Sequence, residues 1–133
     1  MYIDSLLLLS DGQAITADAV SENTIDLGVA RAIANGRPLY VVVVVDETFE
    51  GGTSLAIEVV TDTVADLSSP TVQCITDTFL QAVLTAGRDP IVIPIANVAN
   101  ITERYLGLKY DDTGEFTAGK VTAFVTLDPP RRK

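Results

Sequence analysis

Apolar positions along this chain fall into short runs, broken by turn residues every ten or so positions. That spacing predicts a β-sandwich or barrel. Tyr2–Ser10 reads as a first strand, stopped by Asp11-Gly12, and Ala14–Thr16 and Thr24–Leu27 as short extended pieces. Pro38–Asp46 carries five consecutive valines, Val41–Val45, which favour an extended chain and would crowd a helix. The run does not alternate, so both of its faces should be covered. Glu47–Thr53, with Gly51-Gly52, reads as a loop. In Ser54–Val60, Leu55, Ile57 and Val59 face one way and Ser54, Ala56 and Glu58 the other. Thr71–Thr76 and Ile91–Ile95 are further strands.

The C-terminal third alternates most clearly. In Arg104–Tyr110, Leu106, Leu108 and Tyr110 oppose Tyr105, Gly107 and Lys109. Asp111-Asp112-Thr113-Gly114-Glu115 reads as a hairpin loop. Phe116–Leu127 returns, with Val121, Ala123, Val125 and Leu127 set against Thr122, Phe124 and Thr126. Gly119 inside that run marks a bulge or a close backbone approach. Two segments have helical patterns. Val29–Asn35 closes on Gly36, and Asp77–Ala86 has Asp77 as N-cap, an apolar face of Phe79, Leu80, Val83 and Leu84, and Gly87 as its stop.

Composition narrows the function. The 133 residues fit one domain, residues 1–128, followed by a tail, 129–133, that Pro129-Pro130 sets apart. The net charge is −9, and the basic tail Arg131-Arg132-Lys133 hides part of it. Residues 1–128 carry 18 acids and 6 bases, a net of −12. Such a body repels nucleic acid and is drawn to basic protein surfaces. The tail either reaches a separate acidic site or is a solvated end. The start has no basic region ahead of an apolar run, and Leu6–Leu9 and Tyr40–Val45 are too short to span a membrane. A soluble protein made in the cytoplasm is expected, with no membrane partner.

Candidate chemistry is sparse. The chain has no His, so imidazole-based triads are excluded, and its one cysteine, Cys74, can form neither an intramolecular disulfide nor a zinc site by itself. Cys74 reads as a buried, inert thiol rather than a reactive one. Asp111, Asp112 and Glu115 could offer loop oxygens to calcium, but Asp and Gly there also suit an ordinary turn. Glu47 and Glu50 read as an exposed acidic pair. Asn100-Ile101-Thr102 matches a glycosylation sequon without an export signal beside it. No phosphate-binding glycine motif appears, and the four Tyr and four Phe do not interleave with basic residues. No catalytic, cofactor-binding or metal-binding residue is assigned, and the chain is expected not to be an enzyme.

Two stretches carry a family resemblance. One is the opening, Tyr2 to Thr16 (YIDSLLLLSDGQAIT) followed by Ser21 to Gly28 (SENTIDLG). The other is Arg104 to Tyr110 (RYLGLKY) followed by Phe116 to Ala123 (FTAGKVTA). In this order they resemble the capsid cement, or decoration, proteins of short-tailed Bordetella phages. The resemblance implies an all-β jelly roll, an antiparallel β-sandwich of about eight strands. It also implies strand and connection in place of the helix over Asp77–Ala86. The implied role is a homodimer on the outside of an icosahedral virion, stabilising contacts between major capsid proteins and needing no cofactor. A carbohydrate- or other ligand-binding β-sandwich is the alternative, although such modules usually display Trp or Tyr platforms and Trp is absent here.

Overall fold

The computed structural model describes residues 7–26, 39–75, 78–95 and 103–126; the side chains of 73–75 are not among them. Among the described residues ten strands occupy eight positions in two antiparallel sheets. The first sheet takes β1 (Leu8–Ala14), β10 (Ala118–Thr126), β4 (Leu39–Glu50) and β8 (Ile91–Ile95), in that order. The second has β9 (Tyr105–Thr113) and β5 (Ser54–Asp62) at its centre. On one side β2 (Ala19–Val20) and β3 (Ile25–Asp26) both pair with β9, so they share one edge position. On the other side β6 (Thr71–Ile75) and β7 (Phe79–Leu80) both pair with β5. Among these positions only β5 and β6 follow one another in the same sheet; every other step changes sheets. That is the jelly-roll connectivity, so the all-β sandwich expected from the sequence is the fold found.

The core lies between the sheets, and the alternations place it. Val41, Val43 and Val45 of β4, Val121, Ala123 and Val125 of β10, and Ile91, Ile93 and Ile95 of β8 face Leu55, Ile57 and Val59 of β5 and Leu106, Leu108 and Tyr110 of β9. Each fully buried aliphatic side chain contributes roughly 1.5–3 kcal/mol. The outer face of the valine run is covered in part: Val42, pointing away from the core opposite Phe124, is as inaccessible as Val41 and Val43, while Val44 on the same side is half-buried.

Several expected boundaries move. Asp11-Gly12 does not stop the first strand. Between the pairs Ser10↔Ala123 and Gln13↔Val121, β1 holds one more residue than β10, a bulge. The bulged amides are satisfied by side chains, Asp11 N–H by Glu22 Oε1 at 2.7 Å and Gly12 N–H by Thr122 Oγ1 at 3.1 Å. The loop expected at Glu47–Thr53 begins only at Gly51, because Glu47 and Glu50 pair with Lys120 and Ala118 and extend β4.

The hairpin expected around Asp111–Glu115 is instead a crossing between sheets. Here β9 pairs with β5, β2 and β3, whereas β10 pairs with β1 and β4. Alternation tells which side chains face the core, not which strand is the neighbour, and β9 and β10 face each other across the core. The bulge read at Gly119 is present, with register shifts on both sides of Lys120 and a φ of 146° at Gly119. A Cβ there would lie 2.6 Å from the Phe49 ring.

The helix expected over Asp77–Ala86 does not form among the described residues. Phe79 and Leu80 pair with Leu55 and Ser54, and only Gln81–Val83 makes a single 3-10 turn. Gln81 N–H donates to Thr53 O at 2.9 Å, and Leu84 O accepts Phe49 N–H at 2.9 Å. Neighbouring strands thus satisfy the backbone groups that a helix would have satisfied internally. Val29–Asn35, Asp77, Asn100-Ile101-Thr102 and the basic tail lie outside the described residues.

Candidate interaction surfaces

The buried polar side chains of the sandwich are structural. Ser10 Oγ lies 2.7 Å from Gln13 Oε1, which can only accept, so Ser10 donates there. The Tyr110 hydroxyl, 2.8 Å from the same Oγ, therefore donates to Ser10. Gln13 passes the chain on, its Nε2 donating to Val20 O at 2.9 Å and its Oε1 accepting Glu22 N–H at 3.0 Å. Burial pushes the Tyr110 phenol well above its ordinary range, which keeps it a donor.

The turn after β5 is tied by Asp62. Its carboxylate accepts the N–H groups of Thr63 at 2.6 Å and Ser69 at 2.8 Å. These backbone bonds, that of Ser69 foremost, hold its pKa below the usual carboxylate range. The fold-back carries Leu67, with a φ of 53°, into a buried position over Gly107. A Cβ at Gly107 would lie 2.5 Å from Leu67 Cδ1, so the glycine in β9 makes the notch that Leu67 fills. Beside it lies a shallow pocket lined by Asp18, Ala19, Val20, Leu67, Ser68, Pro70 and Lys109.

The residues singled out in the sequence are not brought together as a reacting centre. Asp111 and Asp112 lie within β9, and Glu115 sits beyond Gly114 with a φ of 47°. Asp112 meets Asp18 instead: its N–H donates to Asp18 Oδ1 at 2.8 Å, and its Oδ2 faces Phe116 N at 3.4 Å. Burial, then a hydrogen bond between the two carboxyl groups, raise the Asp112 pKa; that side-chain bond is also the largest cause lowering the pKa of Asp18. A protonated Asp112 donating to an ionised Asp18 explains both directions. Among the described residues no group of three or more Asp, Glu or Cys is placed to hold a metal ion.

Glu47 lies 4.0 Å from Lys120, and the Glu50 carbonyl accepts Thr117 N–H at 2.8 Å. On β6 the backbone of Cys74 pairs with Val59 of β5, and the Cys74 side chain lies outside the described residues. Arg104 grips Asp26 at 2.6 and 2.7 Å and so fastens β3 to the end of β9. The Asp18–Asp112 contact has no signal in the sequence. Ninety-four positions separate the two residues, and no local pattern links them.

Among the described residues no helix is long and apolar enough to cross a membrane. No curated protein matches the chain. Residues 9–125, from β1 through most of β10, match the family described as Bbp16, and the chain belongs to the Bbp16 family.

Proposed function

We propose that this chain is a structural virion protein that binds the outside of an icosahedral phage capsid and stabilises contacts between major capsid proteins. It acts as a homodimer and without catalysis. The observation that carries this reading is the Bbp16 match, which runs over the same jelly roll whose two ends resemble phage cement proteins. The surface chemistry supports it. A body at −12 is attracted to basic patches on a protein lattice, and a dimer touching two subunits raises the effective concentration of its second contact. Weak individual contacts then suffice to lock a shell.

Reconstitution with empty shells of the parent phage tests this. Saturable binding that raises the shell's melting temperature is the expected result. A protein that ignores intact shells at low salt and instead binds a soluble glycan would make the ligand-binding sandwich the better account.

A further inference from the structure

Charge is unevenly spread along this chain. Residues 67–102 contain only Asp77, Arg88 and Asp89, while the rest of residues 1–128 holds 16 acids and 5 bases. The described part of that stretch supplies β6, β7, the 3-10 turn and β8, which build one flank of the sandwich. There the β6–β7 edge of one sheet lies on the same side as the β8 edge of the other. The exposed apolar side chains collect on the same flank. Of the five large hydrophobic residues exposed among the described residues, Val72, Leu80, Val83 and Val92 belong to it, with Leu80 at 60% the most exposed.

Both edges of the flank end without a described partner strand, but they are not alike. In β8, Pro94 removes a backbone donor, a usual device for blunting an edge. In β6, Thr-Val-Gln-Cys-Ile has neither proline nor charge, and nothing in that sequence discourages another strand from pairing.

We propose that a second copy of this chain docks on this flank, with the edge of β6 that has no described partner strand at its centre. The assignment rests on the dimeric reading above and gives it a surface. Charge selects the occupant. Two bodies at −12 repel each other wherever their acidic faces meet, and the repulsion is least where the flank built by β6, β7 and β8 of one meets that of the other. A basic partner would be drawn to the acidic faces and away from this flank. A twofold axis needs one self-complementary patch, and an uncharged edge strand beside exposed Val72 and Leu80 is self-complementary.

Sedimentation of the full chain over a range of concentrations and salt tests the proposal. The unmodified chain is expected to be a dimer at tens of micromolar, and its dimer should tighten as salt screens the mutual repulsion. The pair Val72→Glu with Leu80→Glu should give a monomer that keeps its β-sheet circular dichroism. Ala19→Glu, on the opposite flank, should leave the dimer intact. A monomeric parent, a dimer that loosens with salt, or a dimer that survives the double substitution would overturn the assignment, as would dissociation by Ala19→Glu. Should the double variant fail to fold, Val72→Glu alone decides in its place, and a folded single variant that still dimerises like the parent would overturn the assignment. A chain that dimerises through this flank yet ignores empty shells supports the assignment and removes the capsid reading alone.

Discussion

The Tyr110 hydroxyl donates to Ser10 Oγ across the core at 2.8 Å, joining two strands from different sheets that are a hundred residues apart in sequence. The direction of that bond predicts an asymmetry. Ser10→Ala leaves a buried phenol without an acceptor and should cost about 1–3 kcal/mol, whereas Tyr110→Phe should cost about 1 kcal/mol. Adding Tyr110→Phe to Ser10→Ala should restore stability, because the stranded hydroxyl is gone. Urea unfolding of the three variants checks the order; a double variant weaker than Ser10→Ala would contradict the bond's direction.

Gly119 should not tolerate a side chain. Its φ of 146° opposes Ala, and so does the Phe49 ring, 2.6 Å from where a Cβ would sit. Phe49 is itself held edge-on against Phe116 with centroids 4.9 Å apart. Gly119→Ala should destabilise by about 1–3 kcal/mol through overpacking and backbone strain. A melting temperature unchanged from the parent would show that the Phe49–Phe116 pair gives way freely.

Two carboxyl groups set opposite pH responses. The Asp112 pKa is raised, so in the window between its unfolded and folded values the native state holds more protons. Stability there falls as pH rises. The Asp62 pKa is depressed, so its contribution is present above the ordinary carboxylate range and lost as pH falls through the folded value. Asp112→Asn keeps a donor for Asp18 and removes a half-buried ionisable carboxyl. It should match or exceed the parent's stability at neutral pH and remove the fall that accompanies rising pH in that window. Asp62→Ala should lower stability at neutral pH and lessen the acid loss. Melting curves across pH separate the two.

The parts of this fold legible in the sequence are those fixed by facing. Val41–Val45, Leu55/Ile57/Val59 and Val121/Ala123/Val125 are strands whose inward sides follow from alternation, and the structure buries those sides. Partnership was less legible. Asp111–Glu115 has the composition of a hairpin, yet β9 and β10 lie in different sheets, because turn residues serve a crossing as well as a hairpin. The segment Asp77–Ala86 has helical spacing, but a helix of about ten residues is marginal by itself, and its described part takes the backbone bonds offered by Thr53 and Phe49 instead. Gly107 inside an alternating run signals a close approach, and that signal identifies where Leu67 lands only once the loop is seen. The flank proposed for self-association was half legible: its shortage of charge is in the sequence, while the exposure of Leu80 and Val83 is seen only with β7 and the 3-10 turn in place among the described residues.

Valency connects the fold to the capsid reading. If a dimer bridges two lattice subunits, its second contact forms at an effective concentration set by the first, and avidity exceeds a single contact by about 10²–10⁴-fold. The monomeric Val72→Glu/Leu80→Glu chain retains every acidic face, so each of its single contacts should persist. It should therefore bind empty shells with apparent affinity lower by that factor and with faster release, and it should raise the shell's melting temperature far less at equal occupancy. Salt should act in opposite senses on the two steps: it weakens attraction to basic lattice patches and relieves repulsion between the two acidic copies. The measurement is binding of parent and variant to shells by cosedimentation at low and high salt, with calorimetry of the loaded shells. Equal shell stabilisation by monomer and dimer would show that cementing does not depend on bridging.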